Sequence, residues 1–213
     1  MSEQGKLMVI SGFSGVGKGT VIKQLMEHHP NFVFSVSGTT RYMRDGEVHG
    51  VHYFFMSREE FEEGIDQGKF LEHAQYAGNY YGTPRDYVFS QMEQGNHVVL
   101  DIEVQGALQV KKAYEETQML YLIPPSAEVL VRRLTGRGTE TAEQVKARLG
   151  KAMEEIQYLP NYENILVNDT LDATEEAILT VAAGQKQSAE EFEEKLALAR
   201  RIGEDLKKIL ETM

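Results

Sequence analysis

The sequence predicts an α/β protein with a parallel five-stranded core sheet, helices on both faces, an inserted lobe and a mobile lid. Short apolar runs rich in β-branched residues are predicted to be buried strands, because their length and composition favour a strand over a helix. These runs are Leu7–Ile10, Val98–Ile102, Met119–Ile123 and Ile165–Val167, with Phe32–Val36 as a fifth candidate. Between them, apolar residues recur at helical intervals, as at Val21 and Leu25 and at Leu130 and Leu134. Buried strands that alternate with helices indicate a parallel sheet with crossover helices.

Two regions interrupt this alternation. Residues 37 to about 95 are rich in Tyr, Gly and charged residues, which indicates an inserted lobe. Residues 126 to about 157 hold Arg133, Arg137 and Arg148 around a polar stretch, which is typical of a mobile lid.

Residues 185–213 are predicted to form an amphipathic helical extension. Its apolar residues fall three or four positions apart, with Glu, Lys and Arg between them. They are Phe192, Leu196, Ala199, Ile202, Leu206 and Ile209. We expect this stripe to pack on the domain or on a second subunit, so the chain is expected to be a monomer or a homodimer.

The composition restricts the classes of function. The chain of 213 residues is 41% hydrophobic and 26% charged, carries a net charge of -11 and contains no cysteine. Disulfides, thiolate catalysis and cysteine metal sites are therefore excluded. So acidic a chain is a poor ligand for a nucleic-acid backbone, although grouped cations could still bind small phosphates. No run approaches the roughly 18 apolar residues that span a bilayer. We expect a cytoplasmic protein that binds neither nucleic acid nor membrane.

A glycine-rich segment follows the first predicted strand and opens a helical pattern. Its residues are Gly12-Phe13-Ser14-Gly15-Val16-Gly17-Lys18-Gly19-Thr20. This is the context in which a phosphate-binding P-loop occurs. The glycines let backbone N–H groups converge on phosphate oxygens, and the helix N-terminus adds the positive end of its dipole. Lys18 supplies a full positive charge toward the β- and γ-phosphates.

One position departs from the common P-loop pattern. Gly19 stands where a Ser or Thr usually provides a hydroxyl for Mg²⁺. Thr20 follows, but a shift of one residue turns its side chain by about 100° around the helix. We therefore assign no direct metal ligand and expect Mg²⁺ to arrive with ATP, held mainly through phosphates and waters. Thr20 and Asp101 are the candidates for contact with Mg²⁺ through water.

Further segments resemble the guanylate kinase family in their order and spacing. They lie at residues 34–44, 46–53, 72–83, 101–106, 137–140 and 167–169. The resemblance covers about residues 5 to 184 and leaves the tail outside it. It implies a three-layer P-loop NTPase fold and an ATP:GMP phosphotransferase that gives ADP and GDP in purine nucleotide metabolism. Phe13 departs from the family, which usually has Pro at this position.

The resemblance also implies roles for individual residues. For GMP it implies Ser37, Arg41, Arg44, Tyr53, Glu72, Tyr81, Thr83, Asp101 and Glu103. For ATP it implies residues 12–20 together with Arg133 and Arg137. The residues expected to promote the transfer itself are Lys18, Arg41, Arg137 and Arg148.

These residue types suit the implied chemistry. A carboxylate such as that of Glu72 accepts from guanine N1–H and the N2 amino group at once, whereas adenine presents an acceptor at N1. Arginine forks match phosphate oxygens. The attacking group is already an anionic phosphate oxygen, so charge neutralisation and alignment replace a general base. Arg137 and Arg148 in the lid would arrive on closure, which also excludes water.

Two alternatives stay open at this point. A catalytically inactive guanylate-kinase-like module would bind a protein partner, but such modules typically have a damaged P-loop, and Gly12, Gly15, Gly17 and Lys18 are all present. A P-loop kinase for another small phosphate acceptor would share the fold, because a fold does not fix a substrate. That enzyme would not need a carboxylate to recognise guanine.

Overall fold

The computed structural model describes residues 4–136 and 141–213. Their elements, in chain order, are β1 Leu7–Gly12, α1 Lys18–His28, β2 Phe32–Phe34, β3 Gly38–Thr39, β4 Phe54–Phe55, α2 Arg58–Asp66, β5 Phe70–Tyr76, β6 Asn79–Pro84, α3 Arg85–Glu93, β7 His97–Leu100, α4 Val104–Ala113, β8 Gln118–Ile123, α5 Ala127–Thr135, α6 Ala142–Glu155, a 3₁₀ helix Ile156–Asn161, β9 Asn164–Val167, α7 Leu171–Ala182 and α8 Ala189–Thr212.

The larger sheet has five strands in the order β2-β7-β1-β8-β9. The pairs β1–β7, β2–β7 and β8–β9 are parallel. Residues 7–10 of β1 and 119–123 of β8 are almost completely buried, as expected for strands of a parallel sheet that helices cover. The predicted α/β class with a parallel five-stranded sheet is confirmed.

Two predicted strands were too long. The run Val98–Ile102 is a strand only as His97–Leu100, and Phe32–Val36 is a strand only as Phe32–Phe34. The last β1–β7 pair joins Val9 to Leu100, and the last β2–β7 pair joins Phe34 to Val99. The apolar pattern continues beyond these pairs, whereas the paired residues do not.

The chain divides into two compact units. The first comprises residues up to Val9 together with Pro30–Thr117. It contains the smaller sheet, in the order β4-β3-β6-β5, within the stretch predicted as an inserted lobe. Helix α2 begins with a capping box between Ser57 and Glu60, and its Phe61 stacks on Phe70 and on Tyr80, with ring centroids 4.2 and 5.1 Å apart. These aromatic contacts fix α2 on the sheet.

The second unit comprises Ile10–His29 and Gln118–Met213, apart from residues 137–140. Its helix α8 buries Leu196, Ala199, Ile202 and Leu206, which belong to the stripe that the sequence predicts. The stripe packs on α5, α6, β9 and the 3₁₀ helix. A Cβ at Gly203 would lie 2.6 Å from Ile156 Cδ1, so this glycine permits the close approach of α8 to the 3₁₀ helix. No described helix of the chain is both long and apolar enough to cross a membrane.

Candidate active site

The glycine-rich segment forms a loop between β1 and α1 in the second unit. Gly15 and Gly17 have φ of 88° and 97°, a left-handed conformation that glycine adopts without strain. Gly17 caps α1 without a side chain, and Lys18 is the first helical residue. A side chain at Gly15 would also collide with Leu134. The chain therefore needs glycine at these positions, and the loop presents backbone N–H groups at a helix N-terminus, as a phosphate site requires.

Arg133 on α5 holds the loop through main-chain oxygens. Its guanidinium donates to the carbonyls of Val16 and Asn168 at 2.8 and 2.9 Å. Burial lowers the pKa of Arg133, although the nearby Asp169 charge opposes this shift. The Asn168 side chain also donates to the Val16 carbonyl at 2.8 Å and accepts from the Thr174 hydroxyl. Arg133 thus fixes the loop and the residues after β9 to each other.

A cavity of about 250 Å³ opens beside this loop. It is lined by Gly15, Val16, Gly17, Thr20, Arg133, Asn168, Asp169 and Leu171. Five of these residues belong to the predicted ATP site. The sequence analysis did not assign Asn168, Asp169 or Leu171, although their position just after a buried parallel strand is where such sheets bind ligands.

Helix α6 brings one predicted lid arginine to the loop. Arg148 Nε donates to Ser14 Oγ at 3.0 Å. Helix α6 begins with a capping box between Thr141 and Gln144, which fixes its first turn. The other predicted lid arginine, Arg137, lies outside the described residues.

Two of the residues predicted to bind GMP, Glu72 and Thr83, meet in the first unit. Glu72 on β5 pairs across the sheet with Thr83 on β6, and the Thr83 hydroxyl donates to Glu72 Oε1 at 2.6 Å. Only 8% of Glu72 is exposed. Burial raises the pKa of this carboxyl, and the hydrogen bonds from Thr83 oppose the rise. A buried carboxylate with unused lone pairs is a strong acceptor for a ligand with paired N–H donors.

Helix α4 approaches this carboxylate through a glycine. A Cβ at Gly106 would lie 3.2 Å from Glu72 Oε2, tighter than an ordinary contact. Any other residue at this position would therefore press on the carboxylate. The sequence analysis did not identify Gly106 as a site residue.

Arg41 lies beside Tyr53 and Tyr81 in the same unit. Its guanidinium is 5.4 Å from the centre of the Tyr53 ring and 5.7 Å from that of Phe55. The rings of Tyr53 and Tyr81 are 6.1 Å apart. The structure thus brings together three residues predicted to bind the GMP phosphate.

Glu47, which the sequence analysis did not assign, holds Arg41 in place. Arg41 donates to both oxygens of Glu47, at 3.0 and 2.7 Å, and the Arg44 backbone N–H donates to Glu47 Oε2 at 2.7 Å. These hydrogen bonds, first that of Arg41, lower the pKa of Glu47 to about 2. The carboxylate of Glu47 is thus bound to Arg41 in the structure. In the sequence, the signal for this pairing was that Glu47 follows Arg41 and Arg44 closely in the chain.

The remaining predicted residues of this unit are Ser37, Arg44, Asp101 and Glu103. The Ser37 carbonyl accepts from the backbone of Phe54, and Arg44 is exposed. Asp101 directly follows β7, and Glu103 is the N-cap of α4, whose backbone carbonyl accepts from Ala107. Both acids are exposed.

The residues described, 4–136 and 141–213, contain no group of three or more His, Cys, Asp or Glu side chains arranged to hold a metal ion. Thr20 is exposed on the first turn of α1. A Cβ at Gly19 would meet no atom within 4 Å, so the structure has room for a Ser or Thr side chain at this position. This donor set fits a cation that is held mainly by the phosphates of its nucleotide.

Comparisons with known proteins point to one family. A guanylate kinase family model matches residues 4–183. A guanylate kinase from Bacillus cereus is 50% identical over 185 residues, which span 86% of this chain and 90% of that protein. A guanylate kinase from Oceanobacillus iheyensis is 44% identical over 211 residues, or 99% and 98% of the two chains.

A solved structure is similar along most of the chain. The crystal structure of guanylate kinase from Anaplasma phagocytophilum has 30% sequence identity and a TM-score of 0.60, and the match covers 89% of this chain and 90% of that one. The phosphate loop, the buried carboxylate and the arginine–tyrosine group lie inside the matched range 4–183. The chain belongs to the guanylate kinase family.

Proposed function

We propose that the chain transfers the γ-phosphoryl group of ATP to GMP, giving ADP and GDP. The observation that carries this proposal is the buried Glu72 carboxylate, hydrogen-bonded to Thr83 in the unit that also holds Arg41. A buried acceptor pair is costly unless a ligand completes its hydrogen bonds. Guanine does so with its N1–H and N2 amino group, and adenine does not.

Glu72 and Thr83 divide the recognition of the base. Thr83 donates to Oε1 and orients the carboxylate, while the other lone pairs of Glu72 accept from guanine. The Ser37 hydroxyl is proposed to donate to O6 of the base, because the single hydroxyl proton of Thr83 already goes to Glu72. A site built to hydrogen-bond one base rejects an analogue that leaves its groups unpaired, by roughly 10⁴-fold or more.

The phosphate of GMP binds to Arg41, Arg44, Tyr53 and Tyr81. Glu47 is the anionic partner of Arg41 in this group. Its pKa of about 2 keeps it ionised at neutral pH, so it holds the Arg41 guanidinium by two charge-assisted hydrogen bonds. Arg41 carries more N–H donors than one carboxylate can accept, so the guanidinium can serve Glu47 and a phosphate together. Asp101 and Glu103 are proposed to complete the GMP site.

The phosphates of ATP bind to the loop of residues 12–20, with Lys18 as the cation of the loop. Arg133 holds the loop in shape through Val16, and the cavity beside it accepts the nucleotide. Arg137 and Arg148 stabilise the charge of the transferring group when the lid is closed, and they exclude water from it. The attacking phosphate oxygen needs no general base.

The Mg²⁺ that accompanies ATP would be held through phosphate oxygens and waters, with Thr20 and Asp101 as the protein groups in contact through water. When bound, the ion neutralises phosphate charge. The residues of this chain bind and orient the two nucleotides.

The test is an assay of ADP formation with Mg²⁺-ATP in which GMP, AMP, CMP, UMP and ribose phosphates are offered in turn. We expect turnover with GMP and little with the others. Comparable turnover with a ribose phosphate would refute the assignment of Glu72 to guanine. A folded chain that binds GMP but turns over no acceptor would instead be a binding module.

A further inference from the structure

A series of contacts joins the phosphate loop to helix α6 within the second unit. Phe13 of the loop is 1% exposed, and its ring meets the ring of Tyr121 edge-on, with centroids 5.6 Å apart and an interplanar angle of 75°. The Tyr121 hydroxyl, on β8, donates to Glu155 Oε2 at 3.0 Å. Glu155 is the last residue of α6. The loop is therefore linked through two side chains to the end of that helix.

Helix α6 also meets the loop directly. Arg148 Nε donates to Ser14 Oγ, the residue next to Phe13. Arg148 and Glu155 are about two helical turns apart and so lie on one face of α6. These contacts form a closed network that runs from Phe13 through Tyr121, Glu155 and Arg148 to Ser14, the neighbour of Phe13 in the chain.

Tyr121 has a fixed position in this contact network. It is completely buried, and it also packs against Tyr162, with ring centroids 5.0 Å apart. Burial first, and then the charge of Glu155, raise the pKa of Tyr121 well above its usual range, so the hydroxyl keeps its proton and donates. A buried hydroxyl of this kind is destabilising without its acceptor.

Phe13 attaches the loop to β8 a second time through its backbone. Its N–H donates to the carbonyl of Leu122 at 3.1 Å. Proline has no N–H and could not make this bond. The loop of this chain is thus held to β8 by one backbone hydrogen bond and one pair of aromatic rings.

We propose that Tyr121 and Glu155 are positioning residues for phosphoryl transfer, whose hydrogen bond fixes α6 against the phosphate loop and so determines where Arg148 lies. This inference rests on the proposed ATP:GMP transfer. Arg148 acts through its charge, and stabilisation of a transferring phosphoryl group falls steeply when the charged group is displaced. The Tyr121 hydroxyl touches no substrate in this role and acts through Arg148.

The test compares Tyr121→Phe with Tyr114→Phe. Both remove a hydroxyl that donates to a glutamate, Glu155 at 3.0 Å and Glu116 at 2.8 Å, but Tyr114 belongs to the other unit and to no predicted site. We expect Tyr121→Phe to lower kcat roughly tenfold, as for loss of a buried bond to a charged group, with KM for GMP unchanged. Tyr114→Phe should leave kcat unchanged. Equal kcat for Tyr121→Phe and the wild type, even with a lower unfolding midpoint, would overturn the proposal.

Two further variants separate positioning from simple stability. Glu155→Gln keeps an oxygen acceptor and should retain most of kcat, whereas Glu155→Leu should match Tyr121→Phe. In an Arg148→Ala background, Tyr121→Phe should lower kcat no further, because it acts through Arg148. Additive losses in the double variant would refute that route.

Wild-type turnover with GMP, measured in the same assay, tests the proposed function separately. If the wild type shows none, the variants are compared by the dissociation constant for ATP alone. Tyr121→Phe should then raise that constant several-fold relative to Tyr114→Phe, and identical constants would overturn the proposal.

Discussion

Replacing Glu72 by Gln probes the recognition of guanine with the smallest change in shape. The amide keeps one acceptor oxygen but turns an amino group toward a guanine N–H, so one charge-assisted hydrogen bond is lost and a donor faces a donor. A hydrogen bond to a charged group contributes about 1.5–3 kcal/mol, and the donor conflict adds to its loss. We take the total as about 3 kcal/mol, which corresponds to roughly 100-fold in KM for GMP.

The same variant should not weaken the fold. The pKa of Glu72 is raised from its ordinary value of 4.5, so the folded state binds a proton more tightly than the unfolded state. Its contribution to stability is therefore largest below pH 4.5 and is lost as the pH rises through the raised pKa. At neutral pH the buried charge is unfavourable, and Glu72→Gln should unfold at the same or a higher urea concentration than the wild type.

The assay is ADP formation at varied GMP and saturating ATP, repeated over a range of pH. Wild-type kcat/KM for GMP should fall as the pH decreases toward the raised pKa of Glu72, because the protonated carboxyl loses an acceptor. Glu72→Gln should lack this limb. The control is Glu62→Gln, which changes a half-exposed glutamate of the same unit that pairs with Arg58. Equal losses of affinity for GMP and ATP in Glu72→Gln would refute the assigned role.

Four other substitutions test the remaining parts of the site. Lys18→Ala should lower kcat roughly 1,000-fold while circular dichroism and the unfolding midpoint stay unchanged, and near-normal turnover would exclude the loop assignment. Gly19→Ser adds a hydroxyl where the new Cβ would meet no atom within 4 Å, and because serine is the better helix former it should raise the free energy of unfolding by roughly 0.5 kcal/mol. If phosphates and waters dominate Mg²⁺ ligation, the Mg²⁺ concentration needed for half-maximal rate should stay unchanged, and a lower requirement would count against that ligation. A carboxyl with a lowered pKa stabilises the fold above its unfolded pKa and loses that contribution as the pH falls. The wild-type free energy of unfolding should therefore decrease between pH 4.5 and about 2 by an amount that Glu47→Gln lacks. Identical pH dependence of the free energy of unfolding in the wild type and the variant would contradict this. Gly106→Ala adds a Cβ 3.2 Å from Glu72 Oε2 and should raise KM for GMP roughly tenfold with KM for ATP unchanged, so parallel changes in both constants would argue for a general loss of structure.

The phosphate loop illustrates what the sequence could predict. Its glycines, its lysine and the strand and helix around it are contiguous, so local pattern alone indicated β1, the loop and α1. The parallel sheet was predictable for a similar reason, because buried strands and helices have different periods. The ends of β2 and β7 were not predictable, because the apolar pattern continues past the last paired residues.

The partners of the charged groups depended on the tertiary structure. Glu72 and Thr83 are brought together by the register of β5 and β6, and the choice of Glu47 for Arg41 depends on how the loop after β3 folds. Contacts such as Arg148 with Ser14 join residues more than a hundred positions apart. The sequence by itself determined the fold class, the phosphate loop and the residue types of the site, because these are properties of local pattern and chemistry. Only the tertiary structure decided which carboxylate is buried, which arginine is held and how Phe13 is anchored, because burial and pairing depend on atoms that the chain supplies from elsewhere.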